Sequence, residues 1–177
     1  GPLAEFAGLY SQLREALGAS HRFFAIIETP PEAAADDGTH DLPPVRGTVC
    51  FAAVAFSYDP ANPVLHDIDL MARPGEMIAL VGPSGVGKTT LVNLLPRFYN
   101  ITAGAITIDG IDIRTVQLGS LRSQIGLVPQ ETFLFGGTVR DNIAYGRLGP
   151  GMDEIEAAAQ AAYAHEFILR LPHGYDT

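Results

Sequence analysis

The residues carrying the most chemistry stand together at Gly82-Pro83-Ser84-Gly85-Val86-Gly87-Lys88-Thr89. Glycines let a backbone curl tightly enough to turn several N–H groups toward one centre. Lys88 adds an ammonium on a flexible stem, and the Thr89 hydroxyl suits a divalent cation such as Mg²⁺. Together they meet the demand of a triphosphate: many donors converging on closely spaced oxygens at the positive end of a helix. The spacing is a complete G-x-x-x-x-G-K-[ST] phosphate loop. Its candidate phosphate contacts are Gly82, Ser84, Gly85, Val86, Gly87, Lys88 and Thr89, with Thr90 as a further donor. Lys88 is the only lysine in the chain. A lone lysine flanked in this way arises by chance roughly once in a thousand such compositions, which sets aside a plain Gly-rich turn.

Such a loop works only between a strand and a helix. Met77 to Val81 is continuously apolar, as a strand buried on both faces is, and a helix is expected after the loop to about Phe98. Upstream, Thr48 to Phe56 and Val64 to Leu70 carry the β-branched and aromatic residues of strands, with turn chemistry at Asp59-Pro60-Ala61-Asn62-Pro63 between them. Downstream, Ile106 to Ile113 reads as a hairpin turning at Asp109-Gly110. Leu118 to Gln124 reads as a helical turn leading into a short strand, Ile125 to Val128. Asp153 and Glu156 frame a capping box that opens an Ala-rich helix to about Leu171. Strands and helices alternate after a β-rich start, so the expected class is α/β.

The N-terminal region is different in kind. Leu3, Phe6, Leu9, Tyr10, Leu13 and Leu17 recur at helical spacing, an amphipathic stripe whose polar face lacks the basic residues of a lipid-surface helix. Gly18 should interrupt it, and the apolar Phe23, Phe24, Ile26 and Ile27 should be ended by Pro30-Pro31. From residue 28 to 46 the chain is acidic and contains four prolines, the composition of a solvated linker. Gly1-Pro2 reads as a protease-cleavage scar, and the turn-like residues 171–177 suggest a fragment.

Composition narrows the function classes. A length of 177 residues with 47% apolar content fits one globular domain. A net charge of −9 disfavours nucleic acid as a partner. One cysteine, Cys50, makes no internal disulfide, and no uncharged stretch reaches the roughly 18 residues of a membrane span, so the chain reads as cytosolic.

Several further motifs give the sequence a family resemblance. Phe56-Ser57-Tyr58, Gln130 after Ile125-Gly126-Leu127-Val128-Pro129, the run from Phe133 to Ile143, and Leu171 to Thr177 all resemble segments of the nucleotide-binding domain of an ATP-binding-cassette transporter, in its exporter branch. The resemblance implies Tyr58 stacking on adenine, Gln130 meeting Mg²⁺ and the attacking water, and Lys88 and Gln130 as catalytic residues. An aromatic ring supplies affinity for any base face, and a neutral amide can ligate a metal while donating to an oxygen. It implies a P-loop NTPase (RecA-like) core, an antiparallel β subdomain and the start of a helical subdomain, truncated. The expected divisions are a helical extension from the last membrane span at 1–29, the linker at 30–46, and the N-terminal part of the nucleotide-binding domain at 47–177.

The implied cofactors are ATP and Mg²⁺. The implied partners are a second nucleotide-binding domain, in a homo- or heterodimer, and the coupling helices of a membrane domain that alone contacts the exported lipid, drug or peptide, all at the cytoplasmic face of the membrane. The family's Leu-Ser-Gly-Gly-Gln signature, its strand ending in Asp-Glu and its switch histidine do not occur in the sequence. Phe135-Gly136-Gly137-Thr138 lacks the signature's Ser and Gln, and His21, His40, His66, His165 and His173 follow no apolar strand. The isolated chain is therefore expected to bind nucleotide weakly or not at all and to hydrolyse none. A soluble cassette ATPase and a nucleotide-binding module without catalysis remain open alternatives.

Overall fold

The computed structural model describes residues 1, 8, 10, 14, 17, 20, 23–29, 32, 38–147 and 149–177. The chain divides into two compact units, Gly1–Gly126 and Leu127–Thr177.

The first unit is built on an antiparallel hairpin, β1 (Val49–Asp59) and β2 (Asn62–Ala72), as the strand patterning and the Asp59–Pro63 turn residues predict. α1 (Lys88–Leu94) follows, then a second hairpin of β3 (Ala103–Ile108) and β4 (Ile111–Asp112). Its two-residue turn is Asp109-Gly110, both at positive φ (50° and 84°), which the type I′ geometry requires. The sheet order is β2-β1-β3-β4, and α2 (Leu118–Arg122) lies beyond it in sequence.

Strict alternation along β1 would send Phe51 and Val54 to opposite faces, yet both are buried. A bulge reconciles them. Ala53 takes φ 47°, its N–H donates to Asp69 Oδ1 at 2.9 Å, and the register against β3 jumps between Ala52 and Ala55. Gly104 faces the bulge so closely that a Cβ there would sit 2.3 Å from the Ala53 carbonyl oxygen. Phe51, Val54 and Phe56 thereby join Leu65, Ile106, Ile108, Leu91 and Leu94 in one core.

Several expectations are corrected here. The helix predicted to about Phe98 stops at Leu94: Arg97 adopts φ 53°, its N–H donates to Leu94 O, and Phe98 N–H donates to Asn93 O. That is a Schellman closure with arginine where glycine is usual. Residues 77–81 form no strand, and Met77 and Val81 are 94% and 89% exposed. A strand exists through its ladder, and among the described residues this run has no pairing partner. The same holds for Ile125 to Val128, which is irregular although its sequence is strand-like.

A further correction falls in the acidic linker. Residues 39–46 form a packed strap rather than a solvated tether. Leu42 is buried in the core, and its N–H donates to Ser120 Oγ at 2.7 Å. Gln124 donates from Nε2 to the Leu42 carbonyl and accepts from Val45 N–H. Further along, the Asp109 carboxylate accepts from the N–H groups of Arg46, Gly47 and Thr48. Of the N-terminal stripe, Tyr10 and Leu17 are helical, as are residues 23–27. Leu3, Phe6, Leu9, Leu13, Gly18 and Pro30-Pro31 lie outside the described residues. Among the described residues no helix is long and apolar enough to cross a membrane.

The second unit holds α3 (Val139–Ala144), α4 (Met152–Ala161), α5 (His165–Ile168) and a 3-10 turn at Gly174–Asp176. A full capping box opens α3: the Thr138 hydroxyl accepts from Asp141 N–H while the Asp141 carboxylate accepts from Thr138 N–H. The Ala-rich helix is again shorter than predicted. Tyr163 takes φ 56°, and Ala164 N–H donates to Ala159 O, a second Schellman closure on a residue other than glycine. The turn lets α5 fold back, so that Ile168 joins Ile155, Ala159 and Tyr175 in a small core. The Tyr175 hydroxyl is paired with His165 Nδ1 at 2.8 Å.

Candidate nucleotide site

The phosphate loop occupies the step from the irregular run 77–81 into α1. Gly82, Gly85 and Gly87 have φ of 156°, 82° and 98°, so the curl of the loop is written in its glycines. Gly87 is also held by space. A Cβ there would lie 2.8 Å from Leu65 Cδ2, a buried residue of β2. The loop therefore sits against the hairpin, with Lys88 as the first residue of the helix.

The lysine points back along its own loop. Lys88 Nζ donates to the Gly82 and Pro83 carbonyls at 2.8 and 2.7 Å, so the chain closes a ring from residue 82 to residue 88 around the ammonium. Ser84, Gly85 and Val86 lie exposed along that ring, and the Thr89 side chain is exposed at the helix start. These residues fit a polyphosphate and Mg²⁺: the one lysine is already drawn into the curl, with main-chain amides and a hydroxyl beside it.

Thr90 behaves differently from its neighbour. It is buried, and its hydroxyl lies 3.1 Å from the Tyr58 hydroxyl, linking the first turn of α1 to the end of β1. Tyr58 is 55% exposed and packs at near-right angles on Phe56 (4.8 Å, 87°) and on Tyr99 (5.0 Å, 89°). Sequence reasoning singled out Tyr58 and missed Tyr99. The signal for Tyr99 was indirect, three consecutive large residues Arg97-Phe98-Tyr99 just past a helix whose end had been placed too late.

The first unit thus brings Tyr58, Thr90 and the whole phosphate loop together. Gln130 belongs to the second unit, where it is exposed in an irregular segment. That unit also carries a groove of about 550 Å³, lined by Leu134, Phe135, Val139, Ile143, Phe167 and Leu171. Phe135 stacks on Tyr145 at its edge (4.1 Å, 25°), and Asn142 ties the loop down by bonding both the N–H and the carbonyl of Phe135.

A glycine-curled phosphate loop running into a helix, with its lysine folded back on it, defines a P-loop nucleotide-binding domain. Residues 65–174 match the family model described as ABC transporter, and the chain belongs to that family. It is 47% identical over 176 residues to a fatty acid ABC transporter ATP-binding/permease protein of Mycobacterium tuberculosis, covering 99% of this chain and 28% of that protein. It is 48% identical over 176 residues to an ATP-dependent lipid A-core flippase of Syntrophus aciditrophicus, covering 99% of this chain and 29% of that one. A solved bacterial Atm1-family ABC exporter with ATP bound matches with a TM-score of 0.79 and 40% identity, over 99% of this chain and 31% of the exporter. The chain thus spans under a third of the length of these relatives.

Proposed function

We propose that this chain is the nucleotide-gripping part of an ABC exporter, which binds Mg·ATP and passes the energy of hydrolysis to membrane helices that move a lipid, drug or peptide. The observation that carries the reading is the phosphate loop closed on Lys88. The exporter assignment is supported by relatives whose names describe a fatty acid transporter and a lipid A-core flippase.

In this reading the Lys88 ammonium leaves the Gly82 and Pro83 carbonyls for the β- and γ-phosphate oxygens. The amides of Ser84 to Thr89 complete the shell, and the Tyr58 ring takes one face of the adenine. Thr89 would hold Mg²⁺, which when bound would supply charge neutralisation at the transferring phosphoryl group, and the Gln130 carbonyl is the further ligand that the family resemblance implies. Gln130 further orients water through its amide. Catalysis of this kind is mainly positioning and charge stabilisation, so the 177-residue stretch by itself, without the family's acidic strand end and signature, holds nucleotide only weakly and hydrolyses none. The groove beside Phe135 receives the coupling helix of a membrane domain, and a second nucleotide-binding domain closes over the ATP, at the cytoplasmic face of the membrane.

The test is a pair of measurements on the 177-residue chain. NMR titration, which detects weak complexes, should show ATP shifting the amides of residues 82–90, and Lys88→Ala should abolish the shifts. Phosphate release should stay at the level of the Lys88→Ala control. Unperturbed loop amides at saturating ATP would remove the nucleotide reading, and turnover above that control would remove the claim of inactivity.

A further inference from the structure

The aromatic cluster at the end of β1 contains more than a base platform needs if Tyr58 acts alone. An exposed tyrosine at a strand end is ordinarily free to change rotamer, and a ring that swings is a poor seat for a base. Here the Tyr58 ring is restrained from three directions. Phe56, two residues earlier on the same strand and only 4% exposed, meets it at 87°. Thr90 of α1 holds its hydroxyl. Tyr99 meets it at 89° from the chain that leaves the C-terminus of α1. Neither neighbouring ring is stacked on Tyr58, so among the described residues no protein ring takes the parallel position a base would occupy.

Tyr99 is not simply core. It is 43% exposed, beside Tyr58 on the rim, while Phe56 is the ring buried beneath both. Its placement is elaborately fixed. The Arg97 closure reverses the chain after α1, the Arg97 guanidinium donates to the carbonyls of Ile113 and Val116, and Phe98 lies under the Arg122 guanidinium. That reversal brings Tyr99 onto Tyr58. Both ends of the phosphate-loop helix therefore bear on one ring, Thr90 from its first turn and Tyr99 from beyond its last.

The geometry points to Tyr99 as a positioning residue for base recognition: it holds the Tyr58 ring in the orientation that accepts a nucleobase, and so contributes to affinity for the nucleoside part of the ligand and not for its phosphates. This rests on the nucleotide reading of the site. An edge-to-face contact of this kind, when lost, should weaken binding about three- to tenfold.

The experiment compares ATP with inorganic tripolyphosphate as probes, by NMR titration of the 177-residue chain and its Tyr99→Leu, Tyr99→Phe, Tyr58→Leu and Lys88→Ala variants, with amide spectra confirming the fold of each. The expected result is a three- to tenfold loss of ATP affinity in Tyr99→Leu with tripolyphosphate affinity unchanged, and near-complete recovery in Tyr99→Phe, which keeps the ring. The double variant Tyr58→Leu/Tyr99→Leu should be no weaker than Tyr58→Leu, because Tyr99 acts through Tyr58. Equal losses for both probes would mean that Tyr99 supports the loop or the fold, and would overturn the inference. So would an unchanged ATP affinity in Tyr99→Leu alongside a clear loss in Tyr58→Leu, or additive losses in the double variant. Failure of the underlying reading looks different: Lys88→Ala would then bind both probes as the parent does, or the parent would bind neither, and the inference falls with it.

Discussion

At the scale of single residues, two positions carry consequences out of proportion to their size. The Asp109 carboxylate accepts three main-chain N–H groups where the strap meets β1, and these bonds, Thr48's foremost, hold its pKa below the ordinary carboxylate range. A carboxyl group with a depressed folded-state pKa stabilises the fold fully above its unfolded pKa of about 4, and loses that contribution as pH falls through the folded value. Asp109→Asn keeps a residue that tolerates the positive φ, removes the charge and replaces one of the two accepting oxygens with an NH₂ group that cannot accept. The melting temperatures of parent and variant should differ at pH 7 and converge in acid below that range; a constant difference across the titration would show that the charge is not involved.

Gly87 is the second such residue. An alanine there meets both a φ of 98° and the Leu65 methyl at 2.8 Å, so the loop must open or the hairpin must shift. The strained dihedral alone costs about 1–2 kcal/mol. Gly87→Ala should lower the denaturant midpoint and also weaken tripolyphosphate binding, measured together by unfolding and titration. Loss of stability with intact anion binding would mean that the loop's curl is not what grips the phosphates.

Among the elements, the two hairpins were easiest to read. The alternation and turn residues around Asp59–Pro63 and Asp109-Gly110 act locally, so both hairpins follow from neighbours in the chain. Helix ends were harder, because glycine is the usual mark of a left-handed closure and here Arg97 and Tyr163 occupy it. Tyr163 is 95% exposed and gains little from its ring, so Tyr163→Gly should relieve backbone strain and stabilise the chain by about 1 kcal/mol, read as a higher urea midpoint. The strap was illegible for a different reason. Its acidic, proline-containing composition is that of solvated chain, and the one residue that contradicts this, Leu42, reveals itself only when Ser120 and Gln124 are brought to it from 78 and 82 positions away. Leu42→Ala should cost about 3 kcal/mol, as a core truncation does, whereas a truncation in a solvated linker stays within about 0.5 kcal/mol.

For the molecule as a whole, the curl of the phosphate loop was visible in sequence because it is a local motif. The contact of Tyr99 with Tyr58 was not, because it depends on where a helix ends. The apolar runs 77–81 and 125–128 show the complementary limit. Their composition is that of buried strands, but composition states a capacity for pairing and not the presence of a partner. Amide exchange should show the difference directly. Residues 77–81 should exchange within the earliest time points while the β1 amides facing β3 persist, and comparable protection in the two segments would mean that 77–81 is paired in solution.

The strap also has a mechanical side. Between residues 39 and 48 it is moored three times: at Thr115 and Gln117 through Thr39 and His40, at Ser120 and Gln124 beside the end of α2, and at the Asp109 turn between β3 and β4. Tension applied to the chain upstream of residue 39 would reach the Thr115 and Gln117 mooring first and the Ser120 and Gln124 mooring next, and would load the β3–β4 turn only after both had yielded.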